Sequence, residues 1–215
     1  MGVFVGHQVG IEQMIYLITG VPGSGKTLYT VSTLIPSLIK KDDGSTDTRR
    51  LLVDGIPDLA LDHVPMAPSD ASNNALVCKE GNGFANWHEW VSPGDVLVVD
   101  EIQRYLRPRS FGSKVPDCVQ HLETHRHHGI DILFITQNPM LMDQNIRRLV
   151  GRHQHLRRIW GFNRALIYEW DGCQADVNKV SGATKQVWSY PKNAFLLYKS
   201  SELHTKQKHK IPVFA

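Results

Sequence analysis

Residues Gly20 to Thr27 read GVPGSGKT and fit the pattern GxxxxGK[ST]. Glycines at 20, 23 and 25 let the backbone curl so that successive N–H groups face an anion. A helix opening near Lys26 would add the positive end of its dipole. In that setting Gly20, Val21, Pro22, Gly23, Ser24, Gly25, Lys26, Thr27 and Leu28 form a nucleotide-phosphate cradle, the Walker A element. Lys26 reaches the β- and γ-phosphates, and the Thr27 hydroxyl ligates Mg²⁺. A flexible glycine turn with a surface lysine would share the composition. Position favours the cradle, because the loop follows the strand-like run MIYLIT (14–19) and opens a helical pattern.

Such a cradle needs a second anion for the hydrated Mg²⁺, brought from the C-terminal end of a neighbouring parallel strand. The stretch VLVVDE (96–101) supplies one in Asp100, and Glu101 adds a base able to orient or polarise an attacking water. The paired acids predict the additional-strand type of P-loop ATPase, with another strand between the phosphate-loop strand and the Asp strand. The run IDILFIT (130–136) fits that intervening strand, with Gln137 at its tip to sense a γ-phosphate. Taken alone, two acids at a helix N-terminus would be ordinary. A guanine-reading NKxD motif is missing, since NKVS (178–181) lacks the aspartate, and this favours adenine.

Arg104, Arg107 and Arg109 follow the acids, and Arg126 precedes the sensor strand. Each is a candidate arginine finger acting on a neighbour's ATP. The competing expectation for Arg104 is an i, i+3 helix pair with Glu101, worth a few tenths of a kcal/mol. In HLETHRHHG (121–129), His121 and His125 have zinc-compatible i, i+4 spacing. The order HExxH is absent and no third ligand has a natural place, so solvated or hydrogen-bonded helix histidines are expected. The tryptophans of WHEW (87–90), with Trp160, Trp170 and Trp188, are expected in core or interface packing rather than in a base-stacking platform.

The elements that must position these groups alternate between strand and helix. Strand-like runs at 14–19, 51–56, 96–100 and 130–136 alternate with helical patterns at 27–41, around WHEW, at 115–129 and near 143–149. Pro36 is expected to kink or split the first helix. Polar loops are expected at 41–50 and 65–74, and an edge strand at 75–79. From about 153 the pattern turns strand-rich: a hairpin around Gly161, then strands at KQVWSY (185–190) and AFLLYKS (194–200). The prediction is an α/β P-loop NTPase fold with a mainly parallel sheet flanked by helices, plus a strand-rich C-terminal region.

With 215 residues, 41% hydrophobic and 21% charged, the chain is long enough for one domain with its own core. A formal charge of +3 is too weak to argue for nucleic acid by itself. The cysteines Cys78, Cys118 and Cys173 are odd in number and form no CxxC pair, which fits a reducing compartment. No apolar window reaches membrane-spanning length. Residues 1–13 are expected to be an N-terminal extension, 14–210 the ATPase domain with 153–200 its strand-rich part, and 211–215 a tail where a longer chain was cut.

The blocks MIYLITGVPGSGKT, VLVVDEIQRYLRPRS and HLETHRHHGIDILFITQNP, in this order and spacing, resemble the N-terminal domain of the zonula occludens toxin (Zot) family. That family includes the assembly ATPases of filamentous phages, and the resemblance runs from Met14 to about Lys210. It implies an ATPase at the cytoplasmic face of a bacterial inner membrane, helping to drive extrusion of phage DNA as it acquires its coat. It further implies homo-oligomers, phage assembly proteins and single-stranded phage DNA as partners, ATP and Mg²⁺ as cofactors, and a membrane segment absent from this chain. Lys26 and Thr27 match the phosphate and metal positions, Asp100 and Glu101 the acidic pair, and Gln137 the sensor. No arginine is firmly matched as a finger. Two other readings are an ATP-gated interaction module with negligible turnover and a small-molecule phosphotransferase.

Overall fold

The computed structural model describes residues 13–41, 47–66, 83–110, 112–160 and 162–199. Strand β1 (Ile15–Thr19) is buried throughout and leads into the glycine loop. A helical run follows in three parts: α1 (Lys26–Tyr29), a π-helical turn (Thr30–Leu34) and α2 (Ile35–Ile39). Pro36 sits in the first turn of α2, where its missing N–H is tolerated, and the wider π turn precedes it. The run is therefore re-pitched at Pro36 and continues beyond it.

Strands β2 (Leu51–Asp54), β3 (Val64–Pro65), β4 (Val96–Val99) and β5 (Asp131–Thr136) complete the parallel set on one side of β1. The helices between them are short: α3 (Trp87–Trp90), α4 (Asp117–Gln120) running into a 3-10 helix (His121–His128), and α5 (Gln144–Leu149). Gly129 closes the 3-10 segment in the left-handed region, as its placement predicts. The long strands β6 (Val150–Arg158) and β7 (Arg164–Asp171), then β8 (Thr184–Ser189), form the other side.

The eight strands make one sheet in the order β3-β2-β4-β5-β1-β6-β7-β8. Pairing is parallel from β3 to β6 and antiparallel for β6–β7 and β7–β8. Thus β5 lies between the phosphate-loop strand and the Asp100 strand, as the paired acids predict.

Alternation along the strands divides the core in two. Tyr16, Ile18, Val98 and Ile135 face the helical run after the glycine loop, with Val31 and Ile35. Ile15, Leu17, Leu97 and Phe134 face the other way, with Trp87, Leu122 and Ile146. Burial of both faces explains why these strands read as continuous apolar runs.

Two expectations are corrected. The stretch 194–200 forms no strand where described: Lys192–Leu196 is a 3-10 helix, following Pro191, which cannot donate to a ladder. Pro65, expected to open a loop, belongs to edge strand β3, and residues 67–74 of that expected loop lie outside the described residues. Of the tryptophans, Trp87, Trp170 and Trp188 are buried in the core, Trp90 is half-buried and Trp160 is 71% exposed. The strand expected at 75–79, Cys78 and the flanking segments 1–12 and 200–215 lie outside the described residues.

Candidate nucleotide site

The expected site residues converge at the C-terminal edge of the parallel strands. Gly20, Gly23 and Gly25 have φ of 152°, 73° and 88°, which L side chains rarely adopt. A Cβ at Gly20 would also lie 2.4 Å from Ser24 Oγ and 2.6 Å from the Leu156 carbonyl oxygen. The curl leaves Val21 exposed and Lys26 buried at its base. Lys26 Nζ donates to the Val21 carbonyl at 3.3 Å, so its charge rests inside the loop. Ser24 Oγ is buried with no hydrogen-bond partner.

Asp100 follows β4 directly. Thr27 Oγ1 donates to its Oδ2 at 3.1 Å, and the Glu101 N–H donates to its Oδ1 at 2.8 Å. Burial first, and then the neighbouring Glu101, push the Asp100 carboxyl up to about 6. Such a hydroxyl–carboxylate pair beside a buried lysine has the hard oxygen donors that Mg²⁺ takes. The residues present therefore fit a magnesium nucleotide.

Glu101 adopts φ 54°, ψ 50°, a left-handed conformation that costs a non-glycine residue about 1 kcal/mol or more. The turn redirects the chain, and only Ile102–Arg104 are helical beyond it. The Gln103 amide donates to Glu101 Oε2, and Gln103 Oε1 accepts from Thr136 Oγ1 at 2.7 Å. One glutamine thus ties the second acid to the tip of β5. Gln137, next along, is exposed, and its carbonyl accepts from the Gly20 N–H at 3.3 Å.

The arginines separate. Arg104 does not pair with Glu101: it donates to the Asp100 carbonyl at 2.8 Å and to Asp54 Oδ2 at 3.4 Å. Asp54, at the end of β2, also accepts from the Tyr105 hydroxyl, and burial raises its carboxyl above the ordinary value. Arg109 is held by Asp143 at 2.5 Å and by the carbonyls of Ser113 and Lys114. Arg107 is exposed, donating to the Gln103 carbonyl at 3.3 Å. Arg126 is also exposed, but in the 3-10 segment before β5, at the opposite edge of the sheet.

Two features near the loop had no clear signal in the chain. Tyr190, just after β8, donates its hydroxyl to the Ser24 carbonyl at 3.0 Å, and its ring is 3.1 Å from where a Gly25 Cβ would stand. On β6, His153 and His155 both meet the hydroxyl of Thr19, at 2.7 and 2.8 Å. The Gln174 N–H donates to His153 Nδ1, so a neutral His153 gives its Nε2 proton to Thr19, which donates to His155 Nδ1. Burial lowers these imidazoles to about 3 and about 4.

The other histidines are apart from this site. His121 stacks on His88 with ring centroids 4.0 Å apart, beside a cavity of about 110 Å³ that also meets Pro93 and Ile130. His125 is buried and bonded through Nδ1 to the Leu122 carbonyl. Their different partners give the i, i+4 pair no shared ligand position.

A family model described as Zonular occludens toxin (Zot) matches residues 14–205. The chain belongs to the Zot family. The crystal structure of the N-terminal domain of zonular occludens toxin from Neisseria meningitidis is similar, with a TM-score of 0.75 and 36% identity, over 87% of this chain and all of that one. The "Putative assembly protein ORF301" of Pseudomonas phage Pf3 is 35% identical over 205 residues, 93% of this chain and 62% of the relative. The Gene 1 protein of Enterobacteria phage I2-2 is 27% identical over 71% of this chain and 42% of its own length. The chain therefore spans about two fifths to three fifths of these relatives. The genome packaging NTPase B204 of Sulfolobus turreted icosahedral virus 2, in complex with ATP-gammaS, shares the fold at TM-score 0.52 and 13% identity, over 84% and 98% of the two chains. The fold of this Zot-family chain is that of the P-loop NTPases.

Proposed function

We propose that this chain is the ATP-binding and hydrolysing motor domain of a filamentous-phage assembly and export protein. The observation that carries the reading is the 3.1 Å hydrogen bond from Thr27 to Asp100, with Glu101 next in the chain. Family membership and the likeness to a phage assembly protein support the setting.

In this reading the N–H groups of Gly25, Lys26 and Thr27 bind the phosphates, and Lys26 Nζ leaves the Val21 carbonyl for the β- and γ-oxygens. Thr27 and Asp100 hold Mg²⁺, which when bound neutralises charge on those oxygens. Gln103 engages Glu101 Oε2, leaving Oε1 to accept a proton from water. Gln137 reads the terminal phosphate from the tip of β5. Arg107, exposed on the nucleotide edge, has the freest position for a neighbour's site, with Arg126 its counterpart on the far edge. The protein works as a homo-oligomer on single-stranded phage DNA with other assembly proteins. Its place is the cytoplasmic face of the bacterial inner membrane, joined through a segment outside this chain. Residues 14–210 form its ATPase domain.

Phosphate release from ATP, measured with and without Mg²⁺, tests the reading. Lys26→Ala should abolish nucleotide binding, and Glu101→Gln should abolish turnover while binding persists. Full activity in both variants would overturn it. Binding without turnover in the unmodified chain, at every protein concentration, would indicate an ATP-gated interaction module instead.

A further inference from the structure

The β6–β7 hairpin leaves the sheet on the nucleotide edge and ends in two bare aromatic rings. Trp160 is 71% exposed and Phe162 60%. Arg158 and Arg164 flank them, also exposed. The tip is continuous with the segment after β8. Arg164 is in register with Ser189, the Tyr190 N–H donates to the Asn163 carbonyl at 2.9 Å, and Arg158 lies over the Tyr190 ring at 5.9 Å. Lys192 follows, exposed. Neither 157–168 nor 185–199 contains an aspartate or glutamate.

Exposed rings set among arginines, with no acid in either segment, suit a polyanion that also offers flat faces. An unpaired nucleic-acid strand offers both, since its bases are free to stack on aromatic rings while phosphates meet the cations. A duplex keeps its base faces stacked on one another. A lipid surface would need no link to the nucleotide site, yet this patch has one. Tyr190, which holds the tip through Asn163 and Arg158, also holds the phosphate loop through the Ser24 carbonyl. We infer that Trp160 and Phe162, with Arg158, Arg164 and Lys192, form a stacking site for single-stranded nucleic acid, joined to the phosphate loop by Tyr190. The inference deepens the motor reading by naming the surface that grips the strand.

The test is binding of a fluorescein-labelled oligothymidylate by anisotropy, with tryptophan emission followed in parallel and nucleotide omitted. Trp160→Ala/Phe162→Ala should weaken binding at least about tenfold. Arg158→Ala/Arg164→Ala should weaken it and flatten the salt dependence by about 0.7 in log–log slope for each phosphate no longer neutralised. Quenching of tryptophan emission by the strand should vanish in Trp160→Phe, since Trp87, Trp170 and Trp188 are buried and Trp90 is half-buried at the end of α3, ahead of β4 and away from the hairpin tip. Unchanged affinity in the double aromatic variant would overturn the site. So would equal binding of a duplex of the same length, loss of binding only to vesicles of anionic phospholipid, or loss only of self-association in sedimentation. Circular dichroism and thermal melting of each variant verify the fold, and the single Trp160→Phe change gives a second readout if the double variant does not fold. Lys26→Ala should still bind the strand, and an unmodified chain that binds the strand but hydrolyses no ATP would count against the motor reading alone.

Discussion

The Thr27 hydroxyl donates to Asp100 Oδ2 across 73 positions of sequence, joining the phosphate loop to the end of β4 at 3.1 Å. The bond spans an intervening strand, because β5 separates β1 from β4. It forms only if the loop and the strand end meet at the same edge of the sheet. It also places a hydroxyl and a carboxylate on one point in space.

Asp100 should therefore cost stability that its function requires. Its carboxyl is pushed up to about 6, chiefly by burial and then by Glu101. The folded chain binds this proton more tightly than the unfolded chain, so the contribution of Asp100 to stability rises as pH falls from about 6 toward 4. At pH 7.5 the ionised group is destabilising by up to about 3 kcal/mol. Asp100→Asn should accordingly raise the unfolding free energy by about 1–3 kcal/mol in urea melts. The same variant should lose magnesium-dependent nucleotide affinity in titration calorimetry.

Gln103 should act on turnover and not on nucleotide affinity. Its amide engages Glu101 Oε2 while its carbonyl oxygen is fixed by Thr136. Gln103→Leu frees the carboxylate without touching the phosphate loop. We expect kcat to fall roughly ten- to hundredfold, as for a displaced reacting group, with the affinity for ATP within about twofold. Steady-state kinetics together with direct nucleotide titration separate the two effects.

The histidines of β6 should make the fold sensitive to acid. Burial holds His153 and His155 at about 3 and about 4, below the ordinary imidazole value. The unfolded chain then takes up protons that the folded chain refuses, so stability falls as pH drops below about 6.5. This trend opposes that of Asp100, and two imidazoles outweigh one carboxyl. Thermal melts from pH 7.5 to pH 4.5 should show a net decline. Thr19→Val removes the hydroxyl between the rings and should cost about 1–3 kcal/mol at pH 7.5.

The chain's chemistry is more legible than its long-range packing. GVPGSGKT declares itself because few residue types let a backbone wrap an anion, and VLVVDE because an acid at the end of a buried strand requires a reason. Asp54 ends LLVD in the same manner and is open to the same reading. Nothing local marks Tyr190 as a neighbour of Ser24, which is 166 positions away. The contact depends on the register of three strands beyond β1. Similarly, His153 and His155 become a pair only because β6 is parallel to β1 and Thr19 lies opposite His155. Arg104 does not become Glu101's partner, because the left-handed turn at Glu101 ends any common helix face.

At the edge opposite the candidate site, Arg49 should dominate stability. Its guanidinium donates to Asp131 Oδ2 at 2.6 Å and to the carbonyls of Leu38, Gly94, Asp95 and Gly129. It thereby joins the end of α2 to the loops entering β4 and β5. Asp131 is fully buried and also accepts from the Met14 N–H at 2.9 Å. Arg49→Ala leaves that carboxylate without its cation and several carbonyls without donors. The expected loss is about 3–5 kcal/mol, the range for breaking a buried pair. Arg49→Lys keeps the charge but cannot reproduce the planar fork, and should recover only part of it. Replacing both partners, Arg49→Leu with Asp131→Asn, should cost less than Arg49→Ala alone, because no buried charge is left unpaired. Urea denaturation of the three variants decides the matter. An Arg49→Ala loss below about 1 kcal/mol would show that solvent reaches Asp131 and that the network is not what binds this edge.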